Sequence, residues 1–154
     1  MAATAPQFEG WKRVRARPQS RCFVCGQDNP VGLRMEFERE LGGAMRSSWS
    51  PRAEYEGFRG IVHGGVVSTV LDEAMSKAVA AAGIEALTAE LKVRLRRPVH
   101  PERSYVVRGW VVSLGKRLIA TEASITSADG EETAHAWASF LTVAQLAGAG
   151  GRRG

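Results

Sequence analysis

The sequence predicts an α+β domain in which a curled antiparallel sheet of about six strands wraps around one long central helix. Three observations predict it. The run from Gly64 to about Ala82 is apolar on most of its sides and stops at Gly83, which reads as a helix that neighbours bury nearly all round. Two strand-like runs precede it and four follow, each bounded by turn residues. The connections among the last four are short enough to make those strands antiparallel neighbours.

The elements follow in order. Residues 1–20 mix Pro, Gln and basic residues with Phe8 and Trp11 and read as a surface arm. A single domain is expected over 21–144, and a disordered Ala- and Gly-rich tail over 145–154. Leu33, Met35 and Phe37 alternate with Arg34, Glu36 and Glu38, the period of a half-buried strand. Gly42-Gly43 marks a hairpin turn, with Ala44 to Trp49 as the return strand. A loop with Gly57 and Gly60 leads into the helix. The later strands are expected over Thr88–Arg96, Ser104–Ser113, Arg117–Ser127 and Glu132–Val143. Pro98 to Glu102, Leu114-Gly115-Lys116 and Ala128-Asp129-Gly130 separate them. Ala134, Ala136 and Ala138 share one strand face and would let a helix lie close.

Composition narrows the function classes. At 154 residues the chain has the length of one domain with a proper core. Asp72, Glu73 and Lys77 interrupt its longest apolar region, which argues against a membrane span. The start of the chain has no uninterrupted apolar stretch of the secretory kind, and two cysteines make no disulfide framework. A cytoplasmic protein is expected. The net charge of +5 favours anionic partners. Part of it lies in the two ends, including Arg152 and Arg153, and the rest clusters at Lys92, Arg94, Arg96 and Arg97 and at Lys116 and Arg117; a phosphate-bearing small molecule suits it as well as nucleic acid does. No recognised nucleic-acid module is present.

The most informative segment is His63-Gly64-Gly65, followed by Asp72 within the same helix. Glycines at a helix start let the backbone approach a ligand closely. The first N–H groups have no intrahelical partner, and the helix dipole adds to their pull on an oxygen that becomes negative. Asp72 stands nine positions after His63, on the flank of Gly65 and Ser68. One helix thus offers an oxyanion donor and a base. Glu73 is the reserve carboxylate, expected in an ion pair. His63 is expected to hold its loop by hydrogen bonding, and the Ser68 hydroxyl to bond its own helix backbone.

These residues resemble the hotdog-fold acyl-CoA thioesterases of the PaaI-like group within the 4-hydroxybenzoyl-CoA thioesterase superfamily. The resemblance covers roughly Cys22 to Val143. It rests on His63-Gly64-Gly65 with Asp72, on Thr88-Ala89-Glu90-Leu91-Lys92-Val93 ending in Arg97-Pro98-Val99, on Leu114-Gly115-Lys116-Arg117, and on the strand from Ala134 to Phe140. It implies hydrolysis of an acyl-CoA to free acid and CoA, without metal or redox cofactor. It also implies a homodimer with composite sites, open to assembly as a dimer of dimers. Asp72 of one subunit would be general base or nucleophile, and the Gly64 N–H of the other, with Gly65, would polarise the carbonyl. Thr88 matches a hydroxyl residue that positions the nucleophile or water. Lys116 and Arg117 fall where relatives contact CoA phosphates, and Arg96 or Arg97 could assist. One departure is Gly57, where several relatives carry Asn or Gln six positions before the histidine.

Two other readings compete. A hydratase or dehydratase acting on enoyl or 3-hydroxyacyl thioesters would use His63 with Asp72, and a non-catalytic acyl-CoA-binding protein would keep the basic patches without needing Asp72. Cys22-Phe23-Val24-Cys25-Gly26 has metal-like spacing, yet no second such pair follows and a closed zinc site needs four ligands. The expectation is no metal and two reduced, packed thiols, unless His100 or His135 is brought near.

Overall fold

The structure is a computed structural model that describes residues 20–143. Residues 1–19, the bulk of the expected arm, and the tail at 145–154 lie outside the described residues. The elements are β1 (Glu38–Arg39), β2 (Met45–Trp49), β3 (Glu56–Phe58), β4 (Ile61–Val62), α1 (Gly64–Ala81), β5 (Ala86–Leu95), β6 (Tyr105–Leu114), β7 (Leu118–Ser127) and β8 (Glu132–Thr142). Six strands form a single antiparallel sheet in the order β1-β2-β6-β7-β8-β5. The sheet curls around α1, the hotdog arrangement the sequence predicts.

Helix α1 begins and ends where the sequence places its caps. His63 is the N-cap, and its ring accepts a hydrogen bond from the Gly65 N–H. At the other end Gly83 takes φ 77°, its N–H donates to Ala80 C=O at 2.9 Å, and the Ile84 N–H donates to Val79 C=O at 3.4 Å. That pair of bonds satisfies carbonyls left open by the last turn. Between the caps Val67, Val70, Leu71, Ala74, Met75, Ala78 and Val79 are buried. They pack against the inward residues of the sheet, among them Val107, Val111, Ile119, Ala123, Ile125, Ala136 and Phe140. Ala134, Ala136 and Ala138 are buried. The tightest approach is elsewhere, at Gly109 of β6, where any Cβ would run into the Ala74 and Met75 backbone.

Three expectations are corrected. Leu33–Phe37 is not a strand; pairing begins only at Glu38. The Leu33 and Met35 N–H groups donate instead to Phe23 and Val24 carbonyls, both at 2.8 Å, and Arg34 takes φ 53°, so the alternation serves a loop–loop contact. The Gly57–Gly60 loop holds a short hairpin of β3 and β4. Finally, β5 and β6 are not neighbours. The connection through Pro98 and Pro101 is no tight turn, and β5 pairs with β8 from Ala86↔Thr142 to Leu95↔Ala134. This places β5 at the sheet edge.

Candidate active site

Asp72 lies on the flank of α1 that faces β5. The Thr88 hydroxyl donates to its Oδ1 at 2.7 Å, which orients the carboxylate and leaves Oδ2 for another partner. Burial raises the Asp72 carboxyl above its ordinary value of 3.8; the Thr88 hydrogen bond works against this, and the neighbouring Glu73 charge adds to it. A half-buried carboxylate with a raised pKa is a competent proton acceptor near neutral pH.

The helix start is built by backbone bonds. The His63 N–H donates to Tyr55 C=O and the Val62 N–H to Val99 C=O, each at 2.8 Å. His100 Nδ1 lies 2.8 Å from Gly60 C=O, holding the preceding turn. Gly57 presses on His63 so closely that a Cβ would sit 2.9 Å from His63 Cα. That contact leaves no room for a side chain at position 57. His63 Nδ1 accepts from the Gly65 N–H at 2.8 Å, so the ring is in the Nε2–H form when neutral. The Gly65 donor is therefore committed, and the Gly64 N–H, without a protein partner among the described residues, is the donor left for a ligand. The Ser68 hydroxyl donates to Gly64 C=O at 2.8 Å.

The structure does not bring Gly64 and Asp72 of one chain together. They stand eight positions apart along the helix, a rise of about 12 Å. Gly64 lies at the Leu95 end of β5, since a Cβ there would touch Leu95 Cδ1, whereas Asp72 lies at the Thr88 end. The basic residues divide in the same way. Arg96 Nε pairs with Glu132 Oε1 at 2.9 Å and Arg97 with Glu131 at 3.5 Å, at the Gly64 end. Lys116 and Arg117 occupy the turn between β6 and β7, next to Leu118, which is in register with Leu141, itself opposite Leu87. They belong to the Asp72 end.

Glu73 faces away from Asp72. Its Oε1 pairs with Lys77 Nζ at 3.5 Å, and the Cys22 thiol donates to its Oε2 at 3.6 Å. Burial, with help from Glu73, pushes the Cys25 thiol up to about 12. His135 is held between Glu122 and Glu132, at 3.0 and 3.1 Å, so neither it nor His100 reaches the cysteines. The grouping of both thiols with Glu73 and Lys77 was not legible in the sequence. Only the one-residue offset of Glu73 from Asp72 hinted that it serves another face.

Residues 59–134 match the thioesterase superfamily. Over 98 residues the chain is 35% identical to an esterase-named protein of Saccharolobus solfataricus, covering 62% of this chain and 63% of that one. It superposes on the crystal structure of a thioesterase superfamily protein with a TM-score of 0.73 and 30% identity, covering 77% of this chain and 61% of the other. A hypothetical thioesterase of Streptococcus pneumoniae, solved with coenzyme A, shares the fold at a TM-score of 0.67 and 17% identity, covering 71% and 85%. The chain thus spans less than two thirds of the length of the first two.

Proposed function

The chain carries a thioesterase superfamily domain over residues 59–134, and from that premise we propose that it hydrolyses the thioester of an acyl-CoA to the free acid and CoA, at two sites shared across a homodimer. The observation that carries this reading is the Asp72–Thr88 pair at 2.7 Å on a helix whose start offers the Gly64 N–H. The described part of β5 has an unpaired edge of ten residues, with Leu87, Leu91 and Leu95 exposed beside it. An unpaired edge of that length, carrying exposed leucines beside Glu90, Lys92 and Arg94, is a template on which another strand can pair. Antiparallel pairing of two β5 strands about a twofold sets the Leu95 end of one against the Thr88 end of the other. Gly64 of one copy then approaches Asp72 of its partner, removing the 12 Å problem (about 12 Å by helix rise). Arg96 and Arg97 of the first copy converge on Lys116 and Arg117 of the second, a basic surface for the CoA phosphates. The coenzyme A held by the pneumococcal protein of the same fold is in keeping with such a ligand.

In the reaction, ionised Asp72 accepts a proton from water while the water oxygen attacks the thioester carbonyl carbon. The Gly64 N–H and the helix dipole stabilise the oxyanion. Collapse breaks the carbon–sulfur bond, and the proton held by Asp72 goes to the departing CoA thiolate. A direct attack by Asp72, through an anhydride that water then opens, uses the same groups. His63, committed through Nδ1 to the helix cap, is poorly placed for hydratase chemistry.

The test is CoA release from short, long and aromatic acyl-CoAs by the wild type and by Asp72→Asn. Turnover that falls by roughly 10²–10⁴ in the variant, with CoA affinity retained, supports the reading. Equal turnover in both proteins sinks Asp72. No release from any substrate, with CoA still bound, turns the protein into an acyl-CoA-binding module.

A further inference from the structure

On the flank of α1 away from Asp72 lies a second cluster of reactive groups that thioester hydrolysis does not use. Cys22 and Cys25 sit in a turn closed by the Gly26 N–H donating to Cys22 C=O at 2.9 Å. The backbone of Ser20 and Cys22 crowds Gly26 so closely that no side chain fits there. The turn presses both thiols onto α1 at Glu73, one residue and about 100° round the helix from Asp72. One ligand atom from each of Cys22, Cys25 and Glu73 lies within 4.8 Å of the other two. We propose that these three side chains bind a thiophilic divalent cation, zinc foremost, which staples the N-terminal turn to the helix that carries the active site.

One of the three ligand-to-ligand distances already suits a loaded site. A sulfur about 2.3 Å and an oxygen about 2.0–2.2 Å from one tetrahedral ion lie about 3.5 Å apart, and Cys22 Sγ already stands 3.6 Å from Glu73 Oε2. The carboxylate divides its oxygens: Oε1 keeps Lys77 at 3.5 Å, and Oε2 is turned to the sulfurs. Charge also balances. Before binding, the Glu73 carboxylate faces the Lys77 ammonium, which also hydrogen-bonds the Cys25 sulfur. Entry of a dication with loss of two thiol protons leaves the sum unchanged, so the cluster stays neutral where Cys25 is 5% exposed and an uncompensated charge would be costly. Thiolate ligands select zinc over magnesium or calcium. Three protein ligands leave the fourth tetrahedral position to water. Glu73, the third ligand, lies far from the cysteines along the chain, so their spacing alone does not point to it.

The test uses the reduced full-length protein titrated with Co²⁺, then with Zn²⁺, with no acyl-CoA present. The expected result is one equivalent of Co²⁺ bound per chain, with a thiolate-to-cobalt charge-transfer band and the intense visible bands of a tetrahedral site. Zn²⁺ should displace it, and binding should tighten as pH rises because protons are released. Zn²⁺, but not Mg²⁺, should protect both thiols of the wild type from alkylation. The Cys22→Ser/Cys25→Ser variant should lose the band, and Glu73→Gln, which keeps both thiols, should bind more weakly. Asp72→Asn should bind as wild type does, which separates this site from the hydrolytic one. No charge-transfer band with reduced thiols, or a band that survives loss of both cysteines, overturns the proposal. Equal affinity in Glu73→Gln removes Glu73 as the third ligand and overturns it in the form stated here.

Discussion

Thr88 and Asp72 form the smallest unit on which the proposed chemistry depends. The hydroxyl donates to the ionised carboxylate more strongly than to the neutral acid and so opposes the effect of burial. Removing it in Thr88→Val should raise the Asp72 pKa further and move the acid limb of the kcat/KM profile to higher pH; an unmoved limb means that Asp72 is not the titrating base. Folding stability carries the opposite sign from that of an ordinary salt-bridged aspartate. Because the folded-state pKa lies above 3.8, the folded chain holds the Asp72 proton more tightly than the unfolded chain does. The stability this contributes is present at low pH and is lost as pH rises through the folded-state value. Asp72→Asn should therefore melt no lower than wild type at neutral pH, even as turnover collapses. Loss of both activity and melting temperature would point to a structural aspartate. Asp72 was legible from sequence as a carboxylate after a glycine pair. Its hydroxyl partner needed the resemblance to a family, since nothing local links positions 72 and 88.

At the level of elements, α1 owes its start to one side chain. His63 caps it through the Gly65 N–H at 2.8 Å, so His63→Ala should cost about 1 kcal/mol. His63→Asn, a good cap, should recover most of that stability and keep turnover. A variant with restored melting temperature but lost turnover would give His63 a chemical role instead. Packing of α1 on the sheet depends on Gly109, which accommodates the Ala74 carbonyl; Gly109→Ala should destabilise the fold by about 1–3 kcal/mol in denaturant titrations. The helix bounds could be read to within a residue because its caps are local. Leu33–Phe37 could not, because strand-like alternation records which side chains are buried and not where the backbone N–H groups go. Here they go to Phe23 and Val24.

For the whole molecule, the decisive arrangement is the distance between the proposed donor, Gly64, and the proposed base, Asp72, along one helix. A twofold-related pair would contain two sites, each with Gly64 of one copy and Asp72 of the other, and this can be tested by complementation. Gly64→Pro removes the uncommitted N–H at the first helical position, where proline is tolerated, and His63 with ψ 130° already suits a following proline. Each variant alone should be nearly inactive. Mixed and re-equilibrated with Asp72→Asn, about half the dimers should be mixed and carry one intact site, recovering about a quarter of wild-type turnover. No recovery despite subunit exchange would place the whole site within one chain. If the proposed dimer forms through β5, Leu91→Arg on that edge should shift the protein to the monomer position in size-exclusion chromatography and remove activity with it.

Local chemistry determined what the sequence could show by itself. Caps, turns, periodicity and the paired glycines predict a sheet wrapped around a helix, a helix start suited to an oxyanion, and a carboxylate on that helix. Each of these depends on residues within a few positions of one another. Tertiary structure alone decided the rest. It placed β5 at an edge beside β8, sent the two basic pairs to opposite ends of the sheet, and set Glu73 against Cys22 and Cys25. Those relations join residues far apart in sequence, and they arise only when burial of one helix brings distant strands and turns to its different flanks.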